Sequence, residues 1–173
     1  MRIVSIVGLK NAGKTTLLLA LAREFHRRKK RVATIKHAAT EPEADRDGTD
    51  AWRHFHEGLA DGVLVAGPTI QVMIERQADT NDPVGLARRH FAHCDLVLVE
   101  GFADTPIPKI EIFRAGVGEA PLVSAAADPS PWLAVLSDSA ITGVTCPVLK
   151  FNDTMWLQLL ATMAWDRAQV LDG

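Results

Sequence analysis

The sequence predicts a three-layer α/β fold built on a mostly parallel central sheet. Three observations carry this reading. Short runs rich in β-branched residues alternate with amphipathic segments along the 173 residues. A strand, a helix and a second strand fall within roughly the first 35 residues, the size of a βαβ unit. The run Leu96-Val97-Leu98-Val99 is apolar on both faces, as parallel strands covered by helices on both sides are.

Ile3 to Val7 reads as a buried strand ending at Gly8. Leu17, Leu18, Leu21, Ala22 and Phe25 recur at helical spacing, so a helix of roughly four turns follows. The basic run Arg27 to Arg31 closes that helix at the negative end of its dipole and reads as a solvated helix end. Val32 to Ile35 is a second strand forming a parallel pair with the first, and Lys36-His37 follow it. Ala38 to Thr49, polar and acidic with Pro42 and Gly48, reads as an exposed loop, and Asp50 to Gly58 as a short helix ending at its glycine. Gly62 to Ala66 and Ile70 to Ile74 are β-prone segments on either side of the turn signal Gly67-Pro68. Pro83 to Phe91 is helical, and Lys109 to Phe113 alternates like a further strand. Residues 115–131, rich in Gly, Ala and Pro, form a loop. Trp132 to Leu136 and Pro147 to Leu149 are the last strands, and Thr154 to Leu171 is a closing helix capped by Asn152 or Asp153. With no internal repeat, residues 1–173 are expected to make one domain.

Composition excludes several classes. With 47% apolar and 23% charged residues the chain is a soluble globular protein. A net charge of −2 and a pI near 6.3 give no nucleic-acid partner. Cys94 and Cys146 lack metal-type spacing and fit a reducing compartment. The first apolar run is too short for a signal peptide, and no segment approaches the ~20 apolar residues of a membrane span, so a cytoplasmic location is expected.

The chemistry lies in Gly8-Leu9-Lys10-Asn11-Ala12-Gly13-Lys14-Thr15, which matches G-x4-G-K-[ST] between a strand and a helix. Glycines let the backbone bend so that successive N–H groups surround a β-phosphate. Lys14 supplies positive charge to the β- and γ-oxygens, Thr15 a hydroxyl for Mg²⁺, and the helix dipole favours the anion. The fold is therefore expected to be of the P-loop NTPase type, holding a purine nucleoside triphosphate with Mg²⁺. Glu100, at the carboxyl end of a neighbouring strand, is the second candidate metal ligand, whereas Asp95 lies at the strand's other end. Lys14 and Glu100 are the candidate catalytic pair, and no general base is identifiable. Asp50, with Asp45 and Asp47, lies where nucleotide-dependent switch segments often lie, and Lys36 and His37 share the edge of the phosphate loop. His90, His93 and Cys94 read as surface residues and the four tryptophans as core or interface.

Several blocks together resemble one family: IVGLKNAGKTTLLLAL, VATIKHA, DRDGTDAWRHFHEGLADGVLVAG, then DLVLVEGF followed by PKIEIFR. In this order they are similar to the molybdopterin-guanine dinucleotide biosynthesis protein B family, MobB, over residues 1–114. The resemblance implies GTP binding, Mg²⁺ dependence, weak intrinsic GTPase activity and a homodimer. It further implies work beside the molybdopterin nucleotidyltransferase that joins GMP to molybdopterin, as an adapter or nucleotide supplier with a molybdopterin-related ligand nearby. By position, Gly8, Gly13, Lys14, Thr15 and Thr16 would hold the phosphates, and Glu100 and Gly101 would stand by the magnesium and γ-phosphate. Asp50, Lys36, His37 and Lys109-Ile110-Glu111 would surround the pocket.

No [NT]-K-x-D motif for reading guanine is present; Lys150-Phe151-Asn152-Asp153 follows a strand but has the wrong spacing. Two other readings use the same loop. A small-molecule kinase would need an arginine-rich lid; residues 115–131 contain no arginine or lysine, leaving Arg88-Arg89 for that role. A GTPase chaperone for metal insertion would display a His- or Cys-rich motif, and none is convincing here.

Overall fold

The computed structural model describes residues 1–38, 40, 45–76 and 81–172. Residues 39 and 41–44, part of the acidic loop expected over 38–49, lie outside the described residues. The chain divides into two compact units, Met1–His37 with Asn81–Gly173, and Ala38–Thr80.

The larger unit is the expected α/β sandwich. Its strands are β1 (Arg2–Val7), β2 (Val32–Lys36), β5 (Leu96–Glu100), β6 (Lys109–Phe113), β7 (Trp132–Ser137), β8 (Val148–Lys150) and β9 (Gln169–Val170). They form one seven-stranded sheet in the order β2-β5-β1-β6-β7-β8, with every pair along that path parallel. One expectation needs correction: β1 and β2 run parallel but are not partners, because β5 lies between them. The fully apolar run of β5 suits that inner position, buried on both faces.

Helices α1 (Lys14–Arg27) and α4 (Trp156–Arg167) cover one face. Leu17, Leu18, Leu21 and Phe25 of α1 pack there with Val4, Ile6, Leu96, Leu98, Ile110 and Ile112 and with Leu160, Ala161 and Ala164 of α4. Helix α3 (Pro83–Phe91), capped by Asp82 through the Val84 amide at 3.0 Å, covers Ile3, Ile35, Val97 and Val99 on the other face. Beside it β6 has no helix over it. Loop backbone lies there instead, and buried side chains satisfy that backbone. Lys109 donates to the carbonyls of Thr105 and Ile107, and Glu111 accepts the amides of Leu122 and Val123 at 2.6 and 3.1 Å. A 3-10 turn, Leu122–Ala125, thus stands within the expected loop 115–131. Burial lowers the Lys109 pKa and raises that of Glu111, the latter opposed by its two amide hydrogen bonds.

The closing helix is shorter than its periodicity predicts. Met155, in the left-handed region, precedes it, and Asp153 turns back to the Lys150 amide at 2.8 Å instead of capping. After Arg167 the extended Ala168 redirects the chain into β9, antiparallel to the start of β1. The basic run after α1 also differs from a solvated end. Arg28 reaches the Gln158 carbonyl at 3.0 Å and Thr162 Oγ1 at 3.1 Å on α4, while Lys30 lies 4.2 Å over the Trp165 ring.

The smaller unit holds α2 (Asp50–His56), capped by the Thr49 hydroxyl on the Trp52 amide, and an antiparallel hairpin of β3 (Gly62–Ala66) and β4 (Gln71–Glu75). Val63 pairs with Ile74, Leu64 with Met73, and Val65 with Val72. Among the described residues no helix is long and apolar enough to cross a membrane.

Buried Glu24 joins Arg27 and Arg28 at 2.8 Å each, and the Arg27 hydrogen bond foremost lowers its pKa to about 2. Its ionised form is therefore stabilising above the unfolded-state value near 4.5, and that contribution is lost as pH falls towards 2. Glu24→Gln is expected to cost about 2 kcal/mol at pH 7, lowering Tm by about 4–8 °C. In thermal melts the gap to the unsubstituted protein should close below pH 4.5.

Candidate functional site

Strand β1 ends inside the core and the chain must turn at once to start α1. Gly8 makes that turn at φ 146°, so close to β6 that a Cβ would run into the Ile112 carbonyl oxygen. Leu9, Lys10 and Asn11 bulge outward, Asn11 in the left-handed region, and the Ala12 amide closes the turn on the Leu9 carbonyl at 3.2 Å. Gly13 then caps α1, whose first-turn amides have no side-chain acceptor from the cap. Lys14 Nζ folds over the loop onto the carbonyls of Gly8 and Leu9 at 3.0 and 2.9 Å. The result is a ring of backbone around an ammonium at a helix N-terminus, which suits phosphate.

Glu100 reaches this loop from β5. Parallel register sets Ile6, Glu100 and Lys36 level with one another on β1, β5 and β2. Glu100, 8% exposed, accepts the Thr15 hydroxyl at 2.8 Å on Oε2, and Lys36 Nζ stands 3.8 Å from Oε1. Gly101, at φ 95°, turns the chain so tightly that a Cβ would sit 3.0 Å from His37 Cβ. Its amide bonds to the Ile6 carbonyl at 3.0 Å, and its carbonyl takes the Ser5 hydroxyl at 2.5 Å. The His37 amide donates to the Glu100 carbonyl at 2.9 Å, and its ring lies 4.6 Å from that of Phe102.

Thus Gly8–Thr15, Lys36, His37, Glu100 and Gly101 converge on one edge of the sheet. Thr16 is exposed in the first turn of α1. Lys109 and Glu111 bind buried loop backbone, and Lys109 also borders a hollow with Asp104, Thr105 and Trp132. Asp50 belongs to the smaller unit, where it opens α2 behind its Thr49 cap. Arg88 borders a hollow with Met1 and Leu171, at the amino end of β1 and away from the loop, which removes it as a lid. Asp95 is held at that far end by the Arg31 amide at 2.7 Å. Among the described residues no group of three or more His, Cys, Asp or Glu side chains is placed to hold a metal ion. A hydroxyl and a carboxylate in contact are hard oxygen donors, suited to Mg²⁺ completed by phosphate and water.

Arg114, the last residue of the P-K-I-E-I-F-R block, also reaches the loop. Its Nε donates to the Ala12 carbonyl at 3.1 Å, its Nη1 stands 3.6 Å from Asp138 Oδ2, and its guanidinium lies 4.3 Å over the Phe151 ring. Only its place at the carboxyl end of a strand could have flagged it.

The family model for molybdopterin guanine dinucleotide synthesis protein B, MobB, matches residues 3–138. The chain belongs to the MobB family. A Haemophilus influenzae relative named molybdopterin-guanine dinucleotide biosynthesis adapter protein is 38% identical over 116 residues, 65% of this chain and 63% of the relative. The matched stretch thus spans just under two thirds of that relative's own length. An Escherichia coli protein of the same name is 31% identical over 121 residues, 69% of each chain. The Bacillus subtilis MobB crystal structure superposes with a TM-score of 0.74 at 22% identity, covering 94% of this chain and 98% of that one. A MobB homologue from Bacillus stearothermophilus gives 0.66 at 23%, covering 96% and 100%. These structural likenesses establish the shared MobB fold.

Gly8→Ala puts a side chain against Ile112 on a left-handed backbone. It should cost at least about 2 kcal/mol in urea denaturation. Gly116→Ala, with nothing within 4 Å of its Cβ, should change stability by less than about 1 kcal/mol.

Proposed function

We infer that this protein binds Mg·GTP and assists the attachment of GMP to molybdopterin, as an accessory to a molybdopterin nucleotidyltransferase in the cytoplasm. The observation that carries the chemical half is the 2.8 Å contact between Thr15 Oγ1 and Glu100 Oε2. It brings a phosphate loop and a strand-end carboxylate to the same point, where a hard cation can bridge protein and triphosphate. The pathway half is supported by the names of the relatives and by membership of the family. Lys14 would meet the β- and γ-oxygens, and the amides of Gly8–Thr16 would surround the phosphates. Thr15 and Glu100 would hold Mg²⁺, with Lys36, His37 and Gly101 alongside. Asp50 is proposed as a further candidate contact of the bound nucleotide. Hydrolysis is expected to be slow.

The homodimer is part of this reading. Leu64 and Met73 are 55% and 57% exposed, and Val65 and Val72, on the ribbon's other face, are 45% exposed each. A two-stranded ribbon is marginal in water by itself, and one apolar on both faces calls for a partner. A second copy of this chain, supplying the same apolar ribbon, is the occupant proposed.

Lys14→Ala should weaken GTP binding by at least about 100-fold, read by calorimetry; undiminished affinity would overturn the site. Glu100→Gln should keep metal-free binding but weaken the strengthening by Mg²⁺ about tenfold or more. Pull-down from cell extract should recover the nucleotidyltransferase, and recovery of an unrelated metalloenzyme alone would count against the pathway. Light scattering should give about twice the 18.8 kDa chain mass, and Leu64→Lys with Met73→Glu should return it to one chain.

A further inference from the structure

Family membership leaves open how the base of the nucleotide would be chosen, since no [NT]-K-x-D motif is present. The sheet itself narrows the search. Glu100 and Thr15 mark the β5 side of the phosphate loop as the metal side. The nucleoside must then leave the loop on the opposite side, towards β6, β7 and β8.

The carboxyl ends of those strands are level. Phe113 pairs with Ser137, and Ser137 with Lys150. The next residue on each strand is therefore Arg114, Asp138 and Phe151, in a row along the edge. Arg114 ties this row to the phosphate loop through the Ala12 carbonyl. The row stands beside a hollow of about 580 Å³ between residues 115–121 and 139–142. That hollow also borders the phosphate loop, because the side chain of Leu9 lies against its Gly118 wall. The space is of the size that ligand sites have, and Asp138 lies in sequence directly before the residues forming one wall.

We propose that Asp138, held in position by Arg114 and the Ala115 amide, reads the base of the bound nucleotide and selects guanine. This rests on the triphosphate reading above. The carboxylate has roughly four lone-pair sites. One on Oδ1 takes the Ala115 amide at 3.1 Å, and one on Oδ2 faces Arg114 Nη1 at 3.6 Å. Two remain. Guanine presents two adjacent donors, N1–H and the 2-amino group, on one edge, whereas adenine presents an unprotonated N1 and would set lone pair against lone pair. Loss of a hydrogen bond to a charged group then discriminates strongly. The Ser139 amide, bonded at 3.0 Å to the buried Ser137 hydroxyl, fixes the turn that carries the carboxylate. Arg114 is a positioning residue, since it acts through Asp138.

Calorimetric titration of the full chain with GTP, ITP, XTP and ATP tests this, with Asp138→Asn as the near-isosteric variant. The unsubstituted protein should prefer GTP over ITP, which lacks the 2-amino group, and over ATP, each by about 10-fold or more. Asp138→Asn should lose about 10- to 100-fold for GTP and gain for XTP, whose 2-oxo group accepts from an amide. Arg114→Ala should reduce the GTP to ITP ratio, and Arg114→Lys should restore part of it. Unchanged GTP:ITP:ATP ratios in Asp138→Asn would overturn the assignment. Inorganic tripolyphosphate separates the two levels of inference. It should compete equally on the unsubstituted protein and on Asp138→Asn, and fail on Lys14→Ala. Failure to compete on the unsubstituted protein would remove the triphosphate reading, and this assignment with it.

Discussion

Ile6, Glu100 and Lys36 stand level on three adjacent parallel strands, and the chain leaves all three at the same edge of the sheet. Everything in the candidate site depends on that register. A slip of one residue in β5 would turn the Glu100 side chain to the opposite face and part it from Thr15. Register here is strongly specified, because Val97 and Val99 must meet α3 while Leu96 and Leu98 meet α1. The core that stabilises the domain thus also aims the carboxylate at Thr15.

The second constraint is the uncovered stretch of β6. A parallel strand needs both faces hidden, yet one side of β6 is roofed by loop, and loop backbone brings polar groups that must be satisfied. Buried Lys109 and Glu111 meet that need from the strand itself, one donating to carbonyls and the other accepting amides. A lysine and a glutamate two residues apart, between apolar neighbours, look like pocket residues in a sequence. Their burial and partners make them supports for the loops beside the site.

Much of the architecture was legible because local chemistry and tertiary demand agreed. Pro83 and Phe91 bound α3 as composition suggests, since Asp82 caps it and the apolar spacing runs out at its end. The phosphate loop was legible for the same reason: glycine is required where the backbone takes φ 146° against β6. Local periodicity carries the closing helix too far because Ala168 to Leu171 are ordinary helix-compatible residues. Their pairing with the first residues of β1 is a contact between chain ends that no local pattern encodes. The basic run after α1 looks solvated in the sequence because its partners, Gln158, Thr162 and Trp165, lie some 130 residues away.

By itself the sequence determined the α/β class, the phosphate loop with its lysine and threonine, and the carboxylate at the end of β5, because each is written in short-range spacing. Only the tertiary structure decided that β5 separates β1 from β2, that Lys109 and Glu111 are spent on buried backbone, and that Arg114, Asp138 and Phe151 share one edge with the phosphate loop. Those facts follow from strand order, and strand order is set by which apolar faces find each other in space.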